Sequence, residues 1–372
     1  MISKNNDTSI LDIDGSILEA GGQLIRNTIA YSVITNQSIK INNIRQGRTK
    51  PGLRQQHLEC VMMAKEICNA TISNNDLYSK ELLFIPDKIN YDFKYCFNSM
   101  SRGSASLILQ CITPILLFSN IHLNELTIYG GTNVSFSPPI DFIKHVLFTT
   151  LQLFGINASV IIKNRGYLSG KYGATILNIV PLNSESQLKP IDITSKGTLL
   201  DLPTCYIHGY CEKNYLDDII TEISNLIKCN FDTTEVDIIS TENSKNQIIG
   251  FSLIAKTTTN CYINGSAVLY INIKKNYKNL LKSIVNYGVN QYNKQLNDSD
   301  LCVDEYLQDQ LIIFMALTKG ISKIKTGKIT LHTKTSIYFS ELMTNARFTI
   351  ENIDDNHNII ICTSNYIHKN KI

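Results

Sequence analysis

Tryptophan is absent from the 372 residues. Together with the abundance of Asn, Ile and Lys, that absence is read as a compositional bias with no function attached. Other absences exclude more. The ten cysteines (Cys60, Cys68, Cys96, Cys111, Cys205, Cys211, Cys229, Cys261, Cys302 and Cys362) include no Cys-x-x-Cys pair, and no Cys/His spacing suits zinc. Mostly buried free thiols in a reduced intracellular compartment are the expectation, with no structural zinc. No apolar run approaches the about 20 residues that cross a bilayer. The most apolar stretch, Leu107 to Phe118, is broken by Gln110 and Pro114, so no membrane partner is expected. The N-terminus is polar and carries no signal-peptide pattern. No internal repeat is legible. Acid is also missing over one long window. Between Ala20 and Leu58 there is no Asp or Glu, while Arg26, Lys40, Arg45, Arg48, Lys50 and Arg54 fall inside it and His57 lies near its end. Charge runs are usually solvated faces. A solvated face mixes signs, however, and a cluster of one sign suits a phosphate-rich partner.

What is present suffices for a folded chain. Hydrophobic residues make up 43% and charged residues 18%, which supports a sizeable core and argues against wholesale disorder. The length allows one large domain and a smaller one. Helical periodicity predicts helices over 23–35, 55–69, 104–119, 141–154, 215–228, 277–294, 303–319 and 334–345. In the fourth, Phe142, Ile143, Val146, Leu147 and Leu151 form one apolar stripe. Strand patterns fall at 10–13, 39–41, 82–85, 125–129, 159–162, 174–180, 248–255, 261–273, 347–351 and 359–362. Their alternation indicates an α/β or α+β fold. A polar stretch at 183–197 opens a segment with its own strand–helix–strand pattern, read as a small inserted domain. The expected organisation is 1–185, an insert over 186–280, and 281–372.

Four segments carry chemistry. In the first, Asp12-Ile-Asp-Gly-Ser-Ile-Leu-Glu-Ala-Gly-Gly-Gln-Leu-Ile-Arg26, a strand runs through a Gly loop into a helix, an arrangement that turns backbone N–H groups toward an anion. A Gly-Gly alone is more often an ordinary turn. The second is Asn43-Ile-Arg-Gln-Gly-Arg-Thr-Lys-Pro-Gly-Leu-Arg-Gln-Gln-His57. Pro51 and Gly52 make a turn, Arg45 and Arg48 offer planar donor forks, and Gln56 and His57 lie near a helix start. The third is Tyr129-Gly-Gly-Thr-Asn-Val-Ser-Phe-Ser-Pro-Pro-Ile-Asp141. In the fourth, 326–341, His332 is expected where a short alternating strand (Ile329, Leu331) gives way to a helix capped by Thr333 or Thr335. Upstream, Tyr306, Asp309 and Gln310 share one helix face at i, i+3 and i+4. A lone histidine is most often structural, and Pro138 could merely open a helix.

Taken together, these segments resemble the RNA 3'-terminal phosphate cyclases, especially the eukaryotic type, over nearly the whole chain. The resemblance implies a large domain of three βαβαββ units with a smaller α/β insert before the last. It implies ATP-dependent conversion of an RNA 3'-phosphate to a 2',3'-cyclic phosphate, with His332 as the nucleophile that becomes adenylylated. It assigns Glu19, Gln110, Pro138, Tyr306, Asp309 and Gln310 to ATP and the adenylate, with Pro138 and Tyr306 enclosing the adenine. Arg26, Arg45, Arg48, Arg54, Gln56 and His57 fall to the RNA end and its phosphates, and Glu19 to a Mg²⁺ or Mn²⁺ ion. The implied partner is RNA with a 3'-phosphate end, and the implied location the nucleoplasm or else the cytoplasm. Oligomeric state is left open. The chain departs from the family pattern at Leu18-Glu19-Ala20-Gly21-Gly22, where Ala20 replaces a glycine, at Ser169-Gly-Lys-Tyr-Gly-Ala174, and at Leu269-Tyr-Ile-Asn-Ile-Lys-Lys275. Alanine is strained if its position requires positive φ. These departures bear on turnover and RNA placement more than on adenylylation. Two alternatives remain: a non-catalytic, cyclase-like ribosome-biogenesis scaffold, which shares the fold and would lack the histidine, and an enolpyruvyl transferase, which has a related fold and in which the His332 segment is not expected.

Overall fold

The computed structural model describes residues 9–90, 96–97, 103–121, 123–167, 173–183, 186–227, 230–239, 247–271 and 277–367. Among these residues are four four-stranded sheets. In the first, Leu11–Asp14 pairs in parallel with Ile39–Asn42, which pairs antiparallel with Leu82–Ile85, and Thr71–Ser73 closes the outer edge. Cys96–Phe97, Leu123–Gly130, Gly173–Ile179 and Ala158–Asn164 repeat that order, as do Asp192–Ile193, Gly320–Thr326, Asn358–Ser364 and Arg347–Asn352. Each parallel pair is bridged across a helix: Gly22–Thr35 in the first unit, Ala105–Leu117 in the second, Leu307–Ala316 in the third. A parallel pair requires such a crossover, since a tight turn can join only antiparallel neighbours.

The fourth sheet, ordered Asp232–Ile239, Thr204–Tyr210, Gln247–Lys256, Tyr262–Ile271, interrupts the third unit between its first strand and its first helix. Its own core joins Phe251, Leu253 and Ile263 to Ile219 and Ile223 of helix Lys213–Leu226 and to Leu281, Val285, Val289 and Tyr292 of helix Tyr277–Asn297. Two elements therefore depart from the expected bounds. Asp192–Ile193, inside the expected insert, belongs to the sheet of the third unit, and Tyr277–Asn297 packs as one piece on the inserted sheet, past 280.

The three repeated units share a single core. Helix Gly22–Thr35 is buried on nearly every side, because Ala105–Leu117, Gln55–Cys68 and Leu331–Met343 all pack against it. The expected fourth helix is composite: Ile140–Phe142 is α-helical, Ile143–Leu147 is a π-turn, Phe148–Leu151 is α-helical and Gln152–Phe154 is 3₁₀. Eight cysteines are buried free thiols; Cys229 and the side chain of Cys96 lie outside the described residues. Among those residues no helix is long and apolar enough to cross a membrane.

Candidate active site

The loop after the first strand is wound tightly. Asp14 Oδ1 accepts from Ser16 N at 3.0 Å and from Asn43 Nδ2 at 3.2 Å. Leu18 and Ala20 both lie in the left-handed region, at φ 55° and 49°. The alanine that departs from the family loop thus occupies a position glycine would fill without strain. The winding folds the Glu19 side chain back over Gly21, where an added Cβ would lie 2.0 Å from Glu19 Oε2. Gly22 faces the ring of His57, 2.4 Å from the place its Cβ would occupy. Arg48 pairs with the Glu19 carboxylate and donates to the Glu19 carbonyl at 2.9 Å. Glu19 Oε2 is buried with no hydrogen-bond partner among the described residues and lies 3.8 Å from Nδ1 of His332.

His332 does not end a strand. The strand stops at Thr326, a turn follows, and the helix begins at Leu331, so His332 is its second residue. The cap is Thr330, whose Oγ1 accepts from Thr333 N at 3.1 Å. Apolar residues at 329 and 331 look like strand alternation, but Thr330 at the N-cap outweighs it, because it satisfies an amide that the first helical turn leaves unbonded. His332 is anchored on one side. Nδ1 lies 3.3 Å from Gln23 Oε1, and Gln23 Nε2 donates to Asp309 Oδ2 at 2.5 Å. The imidazole is otherwise half-exposed. Partial burial, then the charges of Arg26 and Arg48, lower its basicity, so it is neutral near pH 7. Burial pushes Asp309 up to about 7, against the pull of Arg26.

Three helices are stitched together here. Asn27 Nδ2 donates to Ser336 Oγ at 3.0 Å, Ser336 Oγ donates to the Asp309 carbonyl at 3.3 Å, and Glu19 N donates to Thr335 Oγ1 at 3.2 Å. The sequence pattern gives Gln23, Asn27 and Ser336 no role, and Thr335 only that of a possible cap. The available signal is polar residues four apart, which share a helix face: Gln23 with Asn27, His332 with Ser336.

The remaining candidates divide into two groups. In the basic group, Arg45 turns inward and donates to the carbonyls of Lys50 and Gly52 at 3.0 and 3.2 Å, holding its own loop closed. Arg54 stacks over Tyr78, 4.9 Å from the ring centroid. Its backbone N–H donates to His57 Nδ1 at 3.1 Å at the start of helix Gln55–Cys68. Burial, then Arg26, Arg45 and Arg54, lower His57 to about 3, so it is a neutral group. Gln56 is half-buried on the first turn and Arg26 is buried. In the second group, Gln110, Asp309 and Gln310 line one pocket with Gln23, Asn27, Thr113 and Phe148. Gln310 donates to the Tyr306 carbonyl at 2.6 Å, and its Oε1 is buried with no partner among the described residues. Tyr306 is 44% exposed at the mouth of its helix, which Asp304 caps by accepting from Leu307 N at 2.7 Å. Pro138 is half-buried just before the helix at Ile140, and no described contact joins it to Tyr306. Residues 169–172 of the altered segment 169–174 lie outside the described residues, as do 272–275 of the segment 269–275.

Among the described residues no three His, Cys, Asp or Glu side chains gather as a metal site. A lone buried carboxylate oxygen suits Mg²⁺ in one specific way. Mg²⁺ commonly takes one or two protein carboxylates and completes its shell with substrate phosphates and water. Glu19 Oε2 fits that part.

The class of protein follows from similarity over nearly the whole chain. A family model described as RNA 3'-terminal phosphate cyclase matches residues 17–350. The chain is 33% identical over 374 residues to a probable RNA 3'-terminal phosphate cyclase of Dictyostelium discoideum, covering 95% of this chain and 83% of that protein. It is 29% identical over 368 residues to an RNA 3'-terminal phosphate cyclase of Drosophila melanogaster, covering 98% of both. A Methanosarcina barkeri protein of the same name is 35% identical over 347 residues, covering 92% of this chain and 97% of that one. The chain belongs to the RNA 3'-terminal phosphate cyclase family.

Proposed function

We propose that the protein converts an RNA 3'-phosphate to a 2',3'-cyclic phosphate at the expense of ATP, with His332 as the covalent carrier of AMP. The observation that supports this most is the setting of His332: neutral, half-exposed, with Nδ1 turned toward Gln23 and Glu19. With Nδ1 holding the ring's proton, Nε2 has a free lone pair. Nε2 bonds to the α-phosphorus of ATP, the bond from that phosphorus to the bridging oxygen breaks, and pyrophosphate leaves. The ring then carries positive charge, which the Glu19 carboxylate and the Gln23 carbonyl oxygen stabilise from the Nδ1 side. An oxygen of the RNA 3'-phosphate attacks the same phosphorus, the N–P bond breaks, and the ring returns to its neutral form. The 2'-hydroxyl then attacks the 3'-phosphorus, releasing AMP and giving its proton to solvent. Mg²⁺ or Mn²⁺, held by Glu19 and the triphosphate, would supply charge neutralisation on the phosphates. Arg26 and Arg48 supply fixed positive charge beside the ring.

The test is incubation of the protein with α-labelled ATP and a divalent metal, followed by denaturing electrophoresis. The wild type is expected to take up acid-labile, alkali-stable label, and His332→Asn is expected to take up none. RNA ending in 3'-phosphate is expected to chase the label and become cyclic. The same RNA with a terminal 2'-deoxyribose is expected to stall as an adenylylated end, and RNA ending in 3'-hydroxyl to stay unchanged. Failure to modify any of the three ends would favour a binding scaffold.

A further inference from the structure

Gln23 lies between two titratable groups, and its amide has two unlike ends. One end, Nε2, lies 2.5 Å from Asp309 Oδ2; the other, Oε1, lies 3.3 Å from His332 Nδ1. An ionised carboxylate has no hydrogen to give, so it can only accept. Asp309 therefore orders the amide with its NH₂ inward, and the carbonyl oxygen is the only atom left to face His332. The second group near Nδ1, Glu19 Oε2 at 3.8 Å, is likewise an acceptor. Nδ1 is surrounded by acceptors and has to be the nitrogen that carries the proton.

We propose that Asp309 is a positioning residue for His332: by accepting the Gln23 amide N–H it turns the Gln23 carbonyl toward Nδ1 and so selects the imidazole tautomer whose Nε2 lone pair is free. This rests on the reading of His332 as the nucleophile, and it gives Asp309 a role that needs no contact with the nucleotide. The arrangement resembles the outer partners of metal-bound histidines, where a group one bond removed fixes the ring tautomer and its removal costs about 10–100-fold in function. The reverse state is also available. A protonated Asp309 can donate to Gln23 Oε1, the amide turns over, an N–H faces Nδ1, and the ring proton moves to Nε2, where it blocks attack. The charged and titratable groups around Asp309 decide between the two states. Arg26, from helix Gly22–Thr35, favours the ionised form; burial and Asp304, at the cap of Asp309's own helix, oppose it. From helix Leu331–Met343, uncharged Ser336 touches only the Asp309 carbonyl, and His332 is reached through Gln23. The balance places the titration of Asp309 near neutrality.

The test reads the tautomer directly. Protein carrying ¹⁵N-histidine is studied by NMR at a pH one to two units above neutrality, with the His332 signals identified by their loss in His332→Asn. The expected wild-type pattern is a pyrrole-type Nδ1 and a pyridine-type Nε2. An asparagine in place of the aspartate can offer either end of its own amide, so Asp309→Asn is expected to give a mixture of tautomers and about a tenfold or greater loss in the rate of AMP labelling. The rise of the wild-type labelling rate through pH about 7 is expected to disappear in the same variant. Gln23→Leu, which leaves both titratable groups in place, is expected to mix the tautomers as well and serves if Asp309→Asn fails to fold. A wild-type ring protonated on Nε2 would overturn the proposal, as would a tautomer ratio unchanged in both variants. The expected tautomer pattern in a wild-type protein that takes no label would support the relay while removing the nucleophile role of His332.

Discussion

At the scale of single residues, the loop that carries Glu19 shows two positions under strain, Leu18 and Ala20, and two that require the absence of a side chain. Ala20 sits at φ 49°, where an L-residue with a Cβ is disfavoured by about 1–2 kcal/mol. Glycine there would remove the clash and return part of the gain as unfolded-chain entropy. Ala20→Gly is therefore expected to stabilise the protein by about 0.5–1 kcal/mol in urea unfolding, and an unchanged or lower midpoint would disprove the strain. Gly21 and Gly22 differ in kind. Their φ values are not the issue; the Glu19 carboxylate and the His57 ring already occupy the space a methyl would need. From the sequence alone only the first of these effects could be anticipated, as a question about φ. The second depends on which side chains fold back over the loop, and that is decided by Arg48, 29 residues further on.

At the scale of elements, the inserted sheet is fastened to the second unit by a buried polar cluster. Arg165 NH1 and NH2 each donate to Asp141 at 2.7 Å, with both side chains almost completely buried. Tyr210 of the insert donates to the Arg165 carbonyl at 2.7 Å, and His208 Nδ1 lies 2.7 Å from the Tyr167 hydroxyl. Burial pushes the Asp141 carboxyl up, but the Arg165 hydrogen bonds and charge prevail and hold it down at about 2. Burial, then Arg165, lowers His208 to about 3, so it stays neutral. Removing one member of such a pair leaves a buried charge without compensation. Arg165→Met is expected to cost about 3–5 kcal/mol, measured by denaturant unfolding; a loss below 1 kcal/mol would mean that the buried pair is not what stabilises this cluster. None of this is legible in the chain alone, because the pattern marks Asp141 only as the start of a helix and gives the segment around Arg165 no role. The elements themselves are more legible. All eight expected helices are present, since 3.6-residue periodicity over ten or more residues is a strong signal. Short strands such as Asp192–Ile193 escape it, because two residues have no period. Gly320–Thr326 escapes for another reason: its buried face is Ser322, Ile324 and Thr326, while Ile321 faces outward, so polarity does not follow the pleat.

At the scale of the whole molecule, the threefold repeat of sheet order has no counterpart in the amino-acid pattern. The same topology requires only that comparable positions be buried, which many residues satisfy. The candidate site lies where the first and third units meet, so Glu19, Gln23 and Arg48 come from one end of the chain and Asp309 and His332 from the other. Charge is distributed on the same scale. The net value is +3, yet the window from Ala20 to Leu58 holds cations alone. The structure sorts those cations by what they already hold. Arg26 is buried, Lys40 pairs with Glu81 at 3.4 Å, Arg45 closes its own loop and Arg54 lies on Tyr78. Arg48 and Lys50 are the exposed members, Arg48 while it also pairs with the Glu19 carboxylate. If this face receives the phosphates of an RNA end, affinity for a 3'-phosphorylated oligonucleotide is expected to fall between 50 and 200 mM salt, each neutralised phosphate adding about 0.7 to the log–log slope for a single strand. Arg48→Ala and Lys50→Ala are each expected to weaken binding at low salt and to flatten that slope by roughly that amount. Arg45→Ala is expected to leave the slope alone and lower the unfolding temperature instead, because Arg45, unlike the exposed Arg48, is half-buried with its donors turned onto the Lys50 and Gly52 carbonyls. A slope that Arg45→Ala flattens as much as Arg48→Ala does would show that the inward-turned arginine swings out on binding, and a slope of zero in the wild type would remove this face from RNA binding altogether.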